Sequence, residues 1–163
     1  MESPDFLFAR RGAAGIVTLN RPKALNAVTH DMVRALGRQL DAWSRDGAVT
    51  RVIVTAAGER AFSAGGDIRA LYELGRAGRQ EEALGFFREE YTLNSAIKRY
   101  PKPYVALIDG IVMGGGFGIS VHGSHRPKHC RTAPRSGRRT GPSAHGGSRC
   151  RPRPRRRSRA DRR

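Results

Sequence analysis

Two short glycine turns are the parts of this sequence whose residue types could perform chemistry. Residues 114–116 are three consecutive glycines after an apolar run at residues 104–108, and Gly65 and Gly66 follow a shorter stretch at residues 61–64. Glycine lets a backbone approach a ligand closely. At a helix N-terminus, the free N–H groups also carry partial positive charge that suits an oxyanion or a phosphate. A turn that needs glycine only for packing is an equal alternative on this evidence.

Strands and helices alternate along residues 1–125, and this order predicts an α/β fold with a parallel or mixed sheet. Strands are predicted at residues 6–11, 15–20, 51–55 and 104–108, which are rich in apolar or β-branched side chains. Each glycine turn follows a strand and opens a helix. Ligands in such sheets bind beyond the carboxyl ends of the strands, so we expect both turns to direct N–H groups toward one oxygen atom.

Amphipathic helices are predicted to cover the sheet. Thr29 is a suitable N-cap for the first of them. Its inward face carries apolar residues at helical spacing, namely Met32, Val33, Leu36, Leu40 and Trp43. Asp67 is predicted to cap a short helix at residues 68–74, and a longer helix is predicted at residues 80–98. The residues expected to face inward on that longer helix are Leu84, Phe87, Tyr91, Leu93 or Asn94, and Ile97.

Positive charge is concentrated at the end of the chain. Of 31 Lys and Arg residues, 15 lie in residues 126–163 beside one acidic residue, Asp161, so this segment contributes +14 to the net charge of +17. It has five prolines and no Val, Ile, Leu, Met, Phe, Trp or Tyr. Such a composition buries too little apolar surface to offset chain entropy. The sequence therefore predicts a folded domain at residues 1–125 and a disordered basic tail at residues 126–163.

Composition also excludes several classes of protein. No apolar run approaches the roughly 18 residues of a membrane span, and residues 1–5 lack the basic and apolar parts of a signal peptide. Both cysteines, Cys130 and Cys150, lie in the tail, so no disulfide framework is indicated. A cytoplasmic location without a membrane partner is the expectation.

Three stretches of the sequence resemble the crotonase (enoyl-CoA hydratase/isomerase) superfamily. They are LNRPKALNAV at residues 19–28, AFSAGGDI at residues 61–68 and DGIVMGGGFG at residues 109–118. Within that superfamily, residues 86–94, 102–106 and 118–123 are most similar to the 3-hydroxyisobutyryl-CoA hydrolase group. The resemblance implies an incomplete crotonase-like ββα spiral that binds an acyl-CoA substrate. Coenzyme A is then part of the substrate, and no separate cofactor is implied.

The resemblance also assigns roles to individual residues. The backbone N–H groups of Gly66 and Gly115 correspond to an oxyanion hole that holds the thioester oxygen as negative charge develops on it. The positions implied to bind substrate are Gly65, Asp67, Glu90, Lys23, Ala24 and Leu25. Of these, the turn at residues 23–25 corresponds to the segment that lines the coenzyme A side.

Competing interpretations exist for two of these positions. Lys23 is equally well explained as a solvated lysine beside a proline turn, and Glu90 as an exposed helical acid among other glutamates. Gly118 stands where hydratases carry a catalytic glutamate, and its identity favours the hydrolase branch over hydration or isomerisation. The resemblance thus predicts conversion of 3-hydroxyisobutyryl-CoA and water to 3-hydroxyisobutyrate and CoA in valine breakdown, and it is compatible with an oligomer.

The hydrolase group carries its principal carboxylates downstream, in Pro-Glu-Thr and Phe-Pro-Asp turns. Neither turn occurs after Arg126, where Asp161 is the only acid. An out-of-frame or otherwise aberrant end is the hypothesis that explains this change in composition. On that hypothesis, we expect this chain to be poorly active.

Other functions compete with this one. Besides hydration or isomerisation, the Arg-rich tail could bind nucleic acid nonspecifically through phosphates, although it has no aromatic residue for base stacking. A zinc cluster would have to come from His122, His125, His129, Cys130, His145 and Cys150. Their spacing matches no structural zinc pattern, and no metal is predicted.

Overall fold

The computed structural model describes residues 4–124, in which strands and helices alternate as the sequence predicts. The elements are β1 (Phe6–Arg11), β2 (Ala14–Leu19), a 3-10 turn (Pro22–Ala24), α1 (His30–Arg45), β3 (Arg51–Ala56), β4 (Ala61–Ser63), α2 (Ile68–Arg76), α3 (Gln80–Lys98), β5 (Tyr104–Ala106), β6 (Ile111–Val112) and α4 (Gly114–Val121). The α/β class is confirmed. The predicted tail at residues 126–163 lies outside the described residues, and so does its predicted nucleic-acid binding.

The larger sheet has four strands in the order β1-β2-β3-β5. Strands β1 and β2 are antiparallel, while β2, β3 and β5 run parallel. Arg11 pairs with Ala14, so the connecting turn is Gly12 and Ala13, with Gly12 at φ +57°. The second strand therefore begins at Ala14, one residue before its predicted start at residue 15. Gly15 lies within β2, where a Cβ atom would come 2.7 Å from the Trp43 ring, so packing explains that glycine.

A second, two-stranded sheet pairs β4 with β6 in parallel. Ala61 pairs with Ile111 and Ser63 with Val112, so Phe62 is an extra residue on β4. The sequence did not predict β6, because a two-residue strand is too short to show a periodic pattern. This small sheet sets the relative position of the two glycine turns.

Helix α1 has the cap and the buried face that its sequence predicts. The Thr29 hydroxyl oxygen accepts a hydrogen bond from the Met32 N–H at 3.2 Å. The buried residues of the helix are Met32, Val33, Leu36, Leu40 and Trp43. None of the helices within residues 4–124 combines the length and the apolar character needed to cross a membrane.

Helix α3 buries a different face from the predicted one. Its buried residues are Phe86, Glu90, Leu93 and Ile97. Leu93 and Ile97 were expected there, but the other three apolar residues are exposed: Leu84 by 47%, Phe87 by 41% and Tyr91 by 70%. The prediction was wrong because a glutamate occupies a buried position, which moved the inferred apolar face by one residue.

Candidate active site

The small sheet brings the two predicted donor glycines together. Ser63 pairs with Val112, and three residues beyond each paired residue lies a predicted donor, Gly66 or Gly115. Because the strands are parallel, both connections leave the sheet in the same direction. A Cβ atom on Gly115 would lie 3.3 Å from the Gly66 nitrogen. The expectation that the two turns approach each other therefore agrees with the geometry.

Helix α4 begins within the glycine run, at Gly114, rather than after it. Its N-cap, Met113, makes no side-chain capping hydrogen bond, and the first backbone bond into the helix runs from Phe117 N–H to Met113 O at 3.3 Å. The N–H groups of residues 114–116 therefore have no intrahelical acceptor. They carry the partial positive charge of the helix terminus and are available to an acceptor in front of it.

The other glycine turn is held by the segment at residues 25–28. Val28 N–H donates to Gly65 O at 2.7 Å, and Asp67 N–H donates to Val28 O at 2.9 Å. Gly65 has φ +111°, a conformation that favours glycine. These bonds fix the backbone on both sides of Gly66. None of the hydrogen bonds within residues 4–124 uses the Gly66 N–H itself.

Gly66 and Gly115 line a cavity of about 530 Å³ between α2, α3 and α4. Its apolar walls include Ile68, Leu71, Phe86, Phe87, Phe117 and Val121. Its polar lining includes Glu90, Asn94 and His122. Such a mostly apolar cavity with a few polar groups at one end is the usual form of a small-molecule site.

Glu90 is a buried acid at the glycine end of the cavity. Only 8% of the residue is exposed, so the interpretation as an exposed helical acid is wrong. A Cβ atom on Gly115 would lie 2.5 Å from Glu90 Oε1. The carboxyl group makes no hydrogen bond or ion pair with any residue in the described part of the chain. Burial raises the pKa of the Glu90 carboxyl above its ordinary value, because the charged form is poorly solvated there.

Replacing Glu90 with glutamine should stabilise the fold at neutral pH. Because the pKa of Glu90 is raised in the folded state, stability falls as pH rises from its unfolded to its folded pKa, and E90Q lacks this fall. Tm measured from about pH 4 to about pH 8 should show a growing advantage for E90Q. The other titratable residues that line the same cavity as Glu90 are Tyr91 and His122.

A matched control is Glu73→Gln on α2, where the residue is exposed. That substitution is expected to change the free energy of unfolding by less than about 0.5 kcal/mol. A Tm difference between E90Q and the unaltered chain that is constant with pH would contradict a raised pKa at Glu90.

Asn94 is a polar cavity residue that sequence reasoning treated only as a packing position. Its Oδ1 is shielded from solvent and accepts no hydrogen bond within residues 4–124. The amide lies against Gly118, where a Cβ atom would come 2.5 Å from Nδ2 and 2.9 Å from Oδ1. Glycine at 118 therefore makes room for the amide. The available signal was spacing, since Asn94 follows Glu90 by four residues and shares its helix face.

Asp67 is bound into the structure rather than directed at the cavity. Its Oδ1 accepts from Ala70 N–H at 3.2 Å, as the predicted cap of α2, and its Oδ2 accepts from Arg21 Nη1 at 3.0 Å. Burial acts to raise the pKa of the Asp67 carboxyl, but the Ala70 N–H and the Arg21 guanidinium outweigh it. The pKa consequently lies below its ordinary value.

The predicted coenzyme A segment at residues 23–25 also lies outside the cavity lining. Lys23 and Ala24 are exposed, and Leu25 is half-buried in a left-handed conformation with φ +50°. Leu25 O accepts from Ala64 N–H at 2.9 Å, which joins this segment to the glycine turn that holds Gly66. The structure thus places residues 23–25 behind the donor turn, where they support it.

Asn26 explains why the 19–28 stretch has a fixed shape, and sequence reasoning did not identify it. Its Nδ2 donates to Ala57 O and Ala61 O, both at 2.9 Å, and its Oδ1 accepts from Arg21 N–H at 2.9 Å. The residue is buried with φ +54°. A side chain with both donor and acceptor atoms thereby ties the turn to the ends of β3 and β4.

Comparison with known protein families shows which family has this arrangement. Residues 14–128 match the family described as enoyl-CoA hydratase/isomerase. The chain belongs to that family. The predicted crotonase resemblance is confirmed by this match, which includes both donor turns, Glu90 and Asn94.

Relatives within the family are similar over three quarters of the chain. A zebrafish protein (Danio rerio) named 3-hydroxyisobutyryl-CoA hydrolase, mitochondrial, is 57% identical over 122 residues, which are 75% of this chain and 32% of that protein. An enoyl-CoA hydratase from Rhodobacter sphaeroides superposes with a TM-score of 0.73 at 44% identity, covering 76% of this chain and 36% of the other. A carnitinyl-CoA dehydratase from Mycobacterium thermoresistibile gives a TM-score of 0.74 at 49% identity, with the same coverage. The crotonase fold is thereby confirmed.

Two further facts follow from these relatives. The chain spans about a third of the length of the curated relatives it matches. The hydrolase relatives from zebrafish, rat and human are named as mitochondrial. The cytoplasmic location expected from the sequence is therefore wrong.

Proposed function

We propose that this chain binds an acyl-CoA thioester and contributes to its hydrolysis as a 3-hydroxyisobutyryl-CoA hydrolase. The observation that carries the proposal is the adjacent pair of unused backbone N–H groups at Gly66 and Gly115, at the end of an apolar cavity. The hydrolase named for the zebrafish relative, 57% identical, supports this substrate. The products are 3-hydroxyisobutyrate and free CoA, a step that the family resemblance assigns to valine breakdown.

The two N–H groups supply electrostatic stabilisation. When water attacks the thioester carbon, a C–O bond forms and the carbonyl oxygen takes the negative charge. Collapse of this intermediate breaks the C–S bond, and the departing thiolate takes up the proton that the attacking water has lost. Donors from Gly66 and Gly115 on the carbonyl oxygen favour the charged intermediate over the substrate. Loss of one such donor in other enzymes slows turnover by about 100- to 1,000-fold.

Glu90 contacts the acyl group in this proposal. An ionised carboxylate beside the two glycines would repel an oxyanion, whereas a neutral carboxyl can donate a hydrogen bond. The raised pKa of Glu90 favours the neutral form and so fits a place beside developing negative charge. Because the carboxyl group lines the cavity and has no partner within residues 4–124, it is available to substrate.

The remaining predicted residues have supporting roles in this proposal. Gly65 and Asp67 hold the backbone on either side of the Gly66 donor. Ala24 and Leu25 shape the segment behind that donor. Lys23, which is exposed, pairs with a phosphate of coenzyme A in this proposal.

This chain is expected to bind the thioester but to hydrolyse it slowly. Among the cavity-lining residues in the described part of the chain, Glu90 has the only carboxyl group. In the neutral form proposed above, it cannot take a proton from water. Hydrolysis requires a group that activates water, and such acid–base assistance contributes about 100- to 10,000-fold in rate. We therefore propose that thiol release from 3-hydroxyisobutyryl-CoA is at least about 100-fold slower with this chain than with the zebrafish relative.

A calorimetric titration of the 163-residue chain tests the site. We expect 3-hydroxyisobutyryl-CoA to bind at least about tenfold more tightly than free CoA, because only the thioester offers an oxygen to the two donors. Equal affinities would contradict a thioester site at the glycine pair. A thiol-release assay run in parallel with the zebrafish protein would reject the proposed division between binding and turnover if the two rates were similar.

Hydration of an enoyl-CoA is the second candidate, because the two solved relatives are named a hydratase and a dehydratase. The site itself disfavours it. Gly118, which stands at the position of the hydratase glutamate, packs against the Asn94 amide and leaves no space for a longer side chain. Absence of water addition to an enoyl-CoA would agree with this assignment.

A further inference from the structure

Among the polar groups of the cavity that the oxyanion chemistry leaves unused is the side-chain amide of Asn94. Its Oδ1 has essentially no contact with solvent and accepts no hydrogen bond from a residue within 4–124. Buried polar atoms in native proteins are almost always hydrogen bonded, so an unpaired acceptor needs an explanation. Asn94 lines the same cavity as both donor glycines, and turning its amide about χ2 would bring Oδ1 within reach of a ligand there.

The position of the amide along α3 is set by its surroundings. It lies on the face of α3 that also carries Glu90, one helical turn earlier, and it packs flat against Gly118 of α4. A side chain at position 118 would displace the amide, since a Cβ atom there would come 3.0 Å from Asn94 Cγ as well. One helical turn separates residues along the axis by about 5.4 Å. The amide therefore lies a short, defined distance from the acid that contacts Gly115.

The two polar atoms of the Asn94 amide define the kind of ligand group that fits beside them. Asn94 offers an uncharged acceptor, Oδ1, and an uncharged donor, Nδ2, and a hydroxyl group provides the matching donor and acceptor. The cavity walls on either side are apolar, from residues such as Leu71, Phe86 and Val121. A short hydrocarbon chain that carries one alcohol matches this combination.

We propose that Asn94 binds the hydroxyl group of a 3-hydroxyacyl chain and makes the site selective for hydroxyacyl-CoA thioesters over unsubstituted ones. This proposal rests on the proposed function, because it takes the thioester oxygen to lie at Gly66 and Gly115. The hydroxyl, two carbons along the acyl chain, is then directed toward the next turn of α3. An acyl chain without the hydroxyl leaves Oδ1 unpaired, and sites with such unpaired buried groups reject the incomplete analogue.

Affinities for two thioesters that differ only in the hydroxyl test the proposal. The full chain should bind 3-hydroxyisobutyryl-CoA at least about tenfold more tightly than isobutyryl-CoA. In Asn94→Leu, which is similar in size but apolar, this ratio should fall to about one. The affinity for isobutyryl-CoA should be unchanged or tighter. Asn94→Asp retains an oxygen acceptor and should keep the preference.

Controls separate this role from a structural one. Thr92→Ala, at an exposed position of the same helix, should leave both affinities unchanged. Equal binding of the two thioesters by the unaltered chain, or an equal loss of both in N94L, overturns the assignment of Asn94. If N94L does not fold, Asn94→Ala provides the same comparison. If neither thioester binds more tightly than free CoA, the result contradicts the acyl-CoA site itself. Failure of the proposed function is thereby distinguished from failure of the Asn94 assignment.

Discussion

Replacing Gly115 with leucine is expected to weaken binding of 3-hydroxyisobutyryl-CoA by at least about tenfold, because the thioester oxygen loses its place beside both N–H donors. A side chain at this position begins 2.5 Å from Glu90 Oε1 and 3.3 Å from the Gly66 nitrogen. It would occupy the space in front of both N–H donors, where the thioester oxygen is proposed to lie. Competition with a fluorescent acyl-CoA analogue measures the loss.

The fold should tolerate this change better than the ligand does. The backbone of Gly115 is outside the left-handed region, and the nearest atom it meets is the end of a flexible glutamate. Gly75→Ala is the matched control, because a Cβ atom there contacts nothing within 4 Å. Affinity in G115L close to that of G75A would show that the thioester oxygen lies elsewhere.

The neighbouring glycine should give the opposite result. Gly116→Ala is expected to destabilise the fold by about 2–3 kcal/mol through overpacking. A Cβ atom on Gly116 would lie 2.6 Å from Ser63 Oγ and 2.8 Å from Ser63 O, and it would also contact Ser63 Cβ. Both residues are buried, and the Ser63 hydroxyl is held by its bond to Asn26 O at 2.8 Å, so neither can move aside.

Urea unfolding of the chain measures this difference. Gly75→Ala serves again as the reference, with an expected gain of up to about 1 kcal/mol because alanine favours an exposed helical position over glycine. A free energy of unfolding for G116A within about 0.5 kcal/mol of the unaltered chain would show that α4 can separate from β4 at little cost. The contrast between positions 115 and 116 distinguishes glycine needed for a ligand from glycine needed for packing.

How far the sequence predicted the structure depended on how cleanly each element separates apolar from polar residues. Helix α1 was predicted with its cap and its full buried face, because all five buried positions are apolar. Helix α3 was not, since Glu90 is buried while Phe87 and Tyr91 are exposed. These three residues all line the cavity, although Leu84, which is also exposed, does not. Local rules are broken most often at functional sites, and here the broken pattern marks one.

The candidate site divides in the same way. The glycine pair could be predicted, because two runs of glycine between a strand and a helix leave a visible signature. Asn94 could not, since an asparagine on a helix resembles an ordinary surface residue until the packing against Gly118 and the unpaired Oδ1 are seen. Residues 23–25 differ from Asn94, because the resemblance to the family already singled them out from the sequence. Only the hydrogen bond from Ala64 N–H to Leu25 O shows which side of the donor turn they support.

The pairing of Ser63 with Val112 has a consequence for how this region can vary. Each donor glycine is three residues beyond its paired strand residue, so the alignment of the two N–H groups depends on equal chain length in the two connections. Substitutions there change side chains but preserve that count. A single-residue insertion or deletion in either connection would shift one donor along its chain relative to the other. Ala64 and Met113 should therefore accept changes of residue far more readily than either segment accepts a change of length, whereas Gly65 and Gly114 have positive φ and favour glycine.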